Sequence, residues 1–136
     1  MQATAILETA LYVDDLVKAE AFYRDLIGLP FISRVEGRHV FFRCGQSVLL
    51  LFNPEATRLP PANPAMPVPP HGAVGEGHVC FRATADELDG WHAHFEQNSI
   101  GIEADFRWPS GGQSIYVRDP SGNSVEFAEG KIWGLE

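Results

Sequence analysis

The sequence predicts an α+β fold in which one βαβββ pattern is written twice. Three observations predict it. Two β-rich apolar runs each lead straight into a helix-start signal, three further short runs follow each helix, and the two halves close with nearly the same local spelling. That spelling is Gly45-Gln46-Ser47-Val48-Leu49 against Gly122-Asn123-Ser124-Val125-Glu126, which differ only at the second and last places.

The first run, Ile6 to Val13, is followed by Asp14 and Asp15, either of which can offer an N-cap oxygen to the free amides of a helix. Leu16, Ala19, Phe22, Tyr23 and Leu26 then recur at helical spacing, with Lys18, Glu20, Arg24 and Asp25 on the opposite face. Gly28 stands where a C-cap glycine belongs, and Leu29-Pro30 prevents continuation. Strands are expected near Phe31–Val35, His39–Cys44 and Ser47–Phe52, separated by Glu36-Gly37-Arg38 and Gly45-Gln46 as hairpin breaks. The second half repeats the order: a strand over Gly77–Ala83, then Thr84-Ala85-Asp86-Glu87 as a capping box. Leu88, Trp91 and Phe95 form the stripe of the second helix. Runs near Ile102–Arg107, Gln113–Arg118 and Ser124–Ala128 complete the half, broken by Ser110-Gly111-Gly112 and Asp119-Pro120-Ser121-Gly122.

A chain of 136 residues, 45% hydrophobic and 21% charged, has globular composition and the length of one domain. One domain is therefore expected over 1–136: module one at 5–52, a linker at 53–76, module two at 77–129 and a tail at 130–136. The linker holds seven of the ten prolines and almost no charge, which reads as a semi-rigid extended connection, with Met66 and Val68 as candidates for a lid or rim. Ten Lys+Arg against eighteen Asp+Glu give a net charge of −8, which repels phosphate backbones and anionic lipid, so neither nucleic acid nor membrane is expected as a partner. No apolar run reaches the roughly 20 residues a bilayer span needs, and no signal-like start precedes the first strand, so the cytoplasm is the expected location. Cys44 and Cys80 form no CxxC pair and read as buried free thiols.

Repetition singles out polar residues at matching strand positions. Glu8 and His78 occupy the first strand of each half, and Glu126 lies in the last strand. A carboxylate or imidazole buried in an apolar strand needs a partner, and one His with two carboxylates can converge on a divalent ion such as Zn, Fe, Ni or Mn. The plain alternative is that all three alternate outward to water. By the shared spelling Leu49 corresponds to Glu126 and cannot be a ligand, which would leave coordination positions open, as a catalytic metal requires. His71, in Pro69-Pro70-His71-Gly72, is a candidate acid, base or extra ligand, or else a solvated loop residue. His39, His92 and His94 read as surface or packing residues. Arg43 and Arg118 could hold a substrate carboxylate or merely pair with Asp119, and Phe41, Phe106 and Trp108 could line a pocket but, as strand aromatics, read first as core. Trp133 is expected to dock on the body or on a second subunit.

The chain resembles the vicinal oxygen chelate superfamily, which groups glyoxalase I, bleomycin and fosfomycin resistance proteins and extradiol dioxygenases. The resemblance rests on Leu11-Tyr12-Val13-Asp14-Asp15-Leu16 with Phe22-Tyr23 and Leu26-Ile27-Gly28-Leu29, on Gly77-His78-Val79-Cys80-Phe81, and above all on Tyr116-Val117-Arg118-Asp119-Pro120-Ser121-Gly122-Asn123-Ser124-Val125-Glu126. It implies two βαβββ modules forming an open eight-stranded barrel-like sheet, often within a homodimer, with Glu8, His78, Leu49 and Glu126 at the four ligand positions. Glu8 stands where a histidine is commonest. Leu49 replaces the carboxylate of glyoxalase I, and Arg107-Trp108-Pro109 lacks a histidine expected for ring cleavage. The implied function is a metal-dependent lyase, isomerase or transferase of glyoxalase or fosfomycin-resistance type, acting on a small oxygenated molecule. A metal-free antibiotic-sequestering protein of bleomycin-resistance type, or an extradiol dioxygenase, is the alternative. Tyr116 is then a candidate proton donor to a metal-bound oxygen, or a strand aromatic that packs its ring and keeps a polar tip.

Overall fold

A computed structural model describes residues 1–135 and resolves into two compact units, one over Met1–Gly75 and one beginning at Glu76. In the first, β1 (Glu8–Tyr12) leads into α1 (Leu16–Ala21), followed by β2 (Phe31–Val35), β3 (His39–Cys44) and β4 (Ser47–Phe52). The four strands form one sheet in the order β1-β4-β3-β2, with β1 parallel to β4 and the other pairs antiparallel. The second unit repeats this with β5 (His78–Arg82), α3 (Ala85–Gln97), β6 (Ala104–Arg107), β7 (Gln113–Arg118) and β8 (Ser124–Ala128), in the order β5-β8-β7-β6. The α+β class and both βαβββ modules are thus observed. Among the described residues no helix is long and apolar enough to cross a membrane.

Local chemistry fixes the helix ends. The Asp15 side chain accepts from Lys18 N at 3.0 Å, and Thr84 and Glu87 form the reciprocal capping box. The first helix is not one regular α-helix, as its periodicity suggested. After Ala21 it widens into a π turn over Phe22–Leu26, closed by Ile27 N donating to Phe22 O at 3.0 Å. Within it the neighbours Phe22 and Tyr23 both bury, and Tyr23 reaches Phe42 on the sheet at 6.3 Å. Gly28 then takes φ +83°, the left-handed conformation that ends the helix.

Strand register corrects the expected internal equivalence. Glu8 pairs with Val48 and His78 with Ser124, so Glu126 corresponds to Leu50 and not to Leu49. Leu49 pairs with Phe42 on the helix-covered face, whereas Leu50 lies on the opposite face with Phe41 and Phe52. The spelling misaligned by one because β3 and β4 are joined by two residues and β7 and β8 by five.

The linker is not a plain extended connection. Asn53 caps a helical turn, α2 (Pro54–Thr57), and His71 N returns to donate to Thr57 O at 3.0 Å, so the segment folds onto its own module. The tail adds a 3-10 turn at Gly130–Trp133, and Trp133 stands 79% exposed rather than docked on the body. Cys44 is half-buried and Cys80 exposed, so neither is the buried thiol expected from its apolar neighbours.

Candidate functional site

The parallel pair β5–β8 is locked at its start by a buried turn. Both backbone amides of Ser121 and Asn123 donate to Asp119 Oδ1 at 2.9 Å, Asn123 Nδ2 donates to Asp119 Oδ2 at 2.9 Å, and Asn123 Oδ1 accepts from Gly77 N at 2.7 Å. Asp119 and Asn123 are 4% and 1% exposed, so these bonds are shielded from water. Arg118, the residue before the turn, forks onto Glu103, with contacts of 2.6 and 3.1 Å, and reaches Glu76 at 3.4 Å. Gly77 immediately precedes His78, so the turn sets where β5 lies against β8.

In this register the period of two places His78, Cys80, Glu126, Tyr116 and Phe106 on the face of the second sheet away from α3, whose Trp91 packs on Phe127 at 4.4 Å from the other side. Glu126 is the centre of the group and only 6% exposed. The Tyr116 hydroxyl donates to its Oε1 at 2.9 Å, and His78 Nε2 lies 3.1 Å from its Oε2. His78 Nδ1 lies 3.1 Å from the carbonyl oxygen of Ser124, which can only accept, so Nδ1 carries a proton. In neutral imidazole that arrangement turns the Nε2 lone pair toward a carboxylate oxygen. Two acceptors facing each other need a shared proton or a cation between them.

The donor set fits a cation. Imidazole nitrogen and carboxylate oxygen each bind divalent ions of this kind at about 2.0–2.2 Å, which places two ligands of one ion roughly 2.8–3.6 Å apart, from octahedral to tetrahedral geometry. The 3.1 Å separation of Nε2 and Oε2 falls in that range. A backbone carbonyl on the far ring nitrogen is the arrangement that orients metal-binding histidines. Glu8 opens β1 of the first unit as an exposed residue. Among the described residues, no three His, Cys, Asp or Glu side chains are gathered closely enough to hold a metal.

Three residues around this group, Cys80, Phe106 and Trp108, were not legible as part of it. Cys80, although exposed as a residue, lies directly opposite Glu126 across the strands; partial desolvation of its thiol first, and then the carboxylate, push it up to about 12, so it stays protonated at neutral pH. The same two causes raise the Tyr116 phenol to about 12. Phe106 and Trp108, expected in the core, are 40% and 36% exposed and continue the face beyond Tyr116. Phe106 lies parallel to the Tyr116 ring with centroids 6.0 Å apart, Trp108 is tilted on Phe106 at 4.9 Å, and Trp108 Nε1 donates to Ser114 Oγ at 2.8 Å. Their shared parity with Tyr116 was the only signal in the sequence.

His71 is not a free loop residue. It shares a 2.7 Å hydrogen bond with the Tyr12 hydroxyl and sits edge-on to Phe52 at 4.7 Å, all within the first unit. His39 stacks on Phe41 at 3.9 Å, while His92 faces Glu96 and Asp105 and His94 turns to Trp91.

Comparison with known proteins follows the same lines. Residues 5–127 match the model of the Glyoxalase/Bleomycin resistance protein/Dioxygenase superfamily. The structure of a lactoylglutathione lyase from Agrobacterium tumefaciens superposes with a TM-score of 0.91 at 51% identity, covering 99% of this chain and 100% of that one. A glyoxalase/bleomycin resistance protein/dioxygenase from Nocardioides gives 0.72 at 20% identity, over 95% of this chain and 85% of that one. A glyoxalase/bleomycin resistance protein from Catenulispora acidiphila gives 0.63 at 16%, over 93% and 98%. These last two share the fold. No curated protein sequence matches at a significant level. The doubled βαβββ architecture and the family match agree: the chain belongs to the Glyoxalase/Bleomycin resistance protein/Dioxygenase superfamily.

Proposed function

We propose that this protein is a metal-dependent lyase or isomerase of glyoxalase type, acting on a small oxygenated molecule as a homodimer in the cytoplasm. One observation carries the reading: a nearly buried carboxylate faces the lone-pair side of a histidine whose other nitrogen is held by a carbonyl, an arrangement completed by a divalent cation. His78 and Glu126 would hold the ion, with Glu8 contributed by the first module as third ligand; Zn, Fe, Mn and Ni all suit imidazole and carboxylate donors. Bound there, the ion supplies Lewis acidity toward a carbonyl or hydroxyl oxygen. The chain's own residues do the rest. Tyr116 fixes the orientation of Glu126 and keeps a protonated phenol on the reacting face, and His71, held by Tyr12, is the further candidate for acid or base. The exposed Phe106–Trp108 pair continues that face as an apolar edge. Relatedness at 51% identity to a lactoylglutathione lyase supports the same reaction class.

The test is elemental analysis of the purified protein together with turnover of lactoylglutathione. About one divalent ion per chain is expected, lost in His78→Ala and Glu126→Gln and weakened in Glu8→Gln, because a three-ligand site cannot spare a ligand. Full metal retention in both His78→Ala and Glu126→Gln overturns the assignment.

A further inference from the structure

The turn between β6 and β7 returns a side chain to the sheet. Trp108 N donates to Gly112 O and Gly111 N to Trp108 O, both at 2.9 Å, and Gly111 and Gly112 take φ +96° and +91°, a left-handed path open to glycine. The indole thereby reaches β7, where Nε1 donates to Ser114 Oγ at 2.8 Å, and Ser114 is fully buried. Ser114 lies two residues before Tyr116, on the same face of β7. Its hydroxyl hydrogen-bonds the Tyr116 phenol and is the one influence there that opposes the upward push of burial and of Glu126, as a donor to the phenol oxygen does. The phenol in turn donates to Glu126 Oε1 at 2.9 Å. The two ends of this series admit a single direction. An indole N–H donates and never accepts, and an ionised carboxylate accepts and never donates, so each hydroxyl between them receives from the Trp108 side and gives toward Glu126.

We infer that Trp108 and Ser114 are positioning residues of the His78–Glu126 face: the indole sets the Ser114 hydroxyl, Ser114 sets the Tyr116 phenol, and the phenol reserves Oε1 of Glu126 so that Oε2 remains for His78 Nε2 and what lies between them. With both hydroxyl rotors fixed, each bond polarises the next, and the carboxylate is held in one orientation more firmly than by Tyr116 alone. The relay stands on hydrogen bonds within the second unit; its effect on turnover rests on the reading of His78 and Glu126 as the metal-holding pair.

The test reads the indole protons of the chelator-treated protein by nitrogen-edited NMR, with Trp91, Trp108 and Trp133 assigned from single tryptophan-to-phenylalanine variants. The Trp108 proton should exchange with water at least about fivefold more slowly than that of Trp133, which is 79% exposed, and Ser114→Ala should remove that protection. Tyr116→Phe keeps the ring and deletes the hydroxyl alone, so it should shift the Trp108 indole resonance and leave that of Trp133 unmoved. With metal restored, Trp108→Phe and Ser114→Ala should each lower kcat for lactoylglutathione about fivefold at unchanged KM. A Trp108 indole resonance indifferent to Tyr116→Phe overturns the inference, and so does full kcat in Trp108→Phe, a change at a part-exposed position that the fold tolerates. The same spectral coupling in a protein that neither binds metal nor turns over lactoylglutathione would leave the relay standing and count against the catalytic reading alone.

Discussion

Asn123→Ala tests whether the buried turn positions the site. The side chain gives one hydrogen bond to the Asp119 carboxylate and takes one from Gly77 N. A bond to a charged group contributes about 1.5–3 kcal/mol and a neutral one about 1 kcal/mol, and at 1% exposure water cannot replace them, so unfolding stability should fall by about 3 kcal/mol. Urea denaturation followed by tryptophan fluorescence reads this directly. The double variant with Asp119→Ala should be less unstable than the sum of the two singles, by at least about 1 kcal/mol, because both remove one network. Since Gly77 directly precedes His78, metal affinity should fall as well. A stability loss below about 0.5 kcal/mol, or strict additivity with Asp119→Ala, would refute the claim that this turn holds β5 in register.

Tyr116→Phe removes the bond to Glu126 Oε1; turnover of lactoylglutathione should drop about 10²-fold while the ion is retained, read by kinetics beside elemental analysis. The register places Leu49 under α1 and Leu50 on the opposite face, so Leu49→Glu should cost about 4 kcal/mol or more and Leu50→Glu less than half as much, by thermal melts. Glu129 is held below the ordinary carboxylate range, first by Lys131 Nζ at 3.0 Å and also by Gln113 N at 2.8 Å. A lowered folded-state value stabilises above the unfolded value of about 4.3 and is lost as pH falls through the folded one. Stability measured from pH 6 down to pH 3 should therefore fall more steeply in the unaltered protein than in Glu129→Gln, and parallel curves would show that Glu129 adds nothing.

Strand and helix positions were legible because the turns are spelled in glycine and the helix starts in Asp15 and Thr84, all local chemistry. The His78–Glu126 contact was legible in outline, since repetition marked both residues. What local spelling could not carry was side-chain direction across unequal loops, which is why Leu49 was matched to Glu126 and why Phe106 and Trp108 read as core. The Tyr12–His71 bond spans 59 positions and depends on the path of the linker, which no pattern in 53–76 encodes. The π turn was hidden for a different reason: widening a helix by one residue leaves its apolar spacing nearly intact.

Each sheet takes its first strand back beside its last, so every ladder begins and ends inside its own half. A proteolytic nick between Gly75 and Glu76 severs no rung of either ladder. The same arrangement lets one half carry the carboxylate of Glu126 where the other carries Leu50 without disturbing the hydrogen bonding of either ladder.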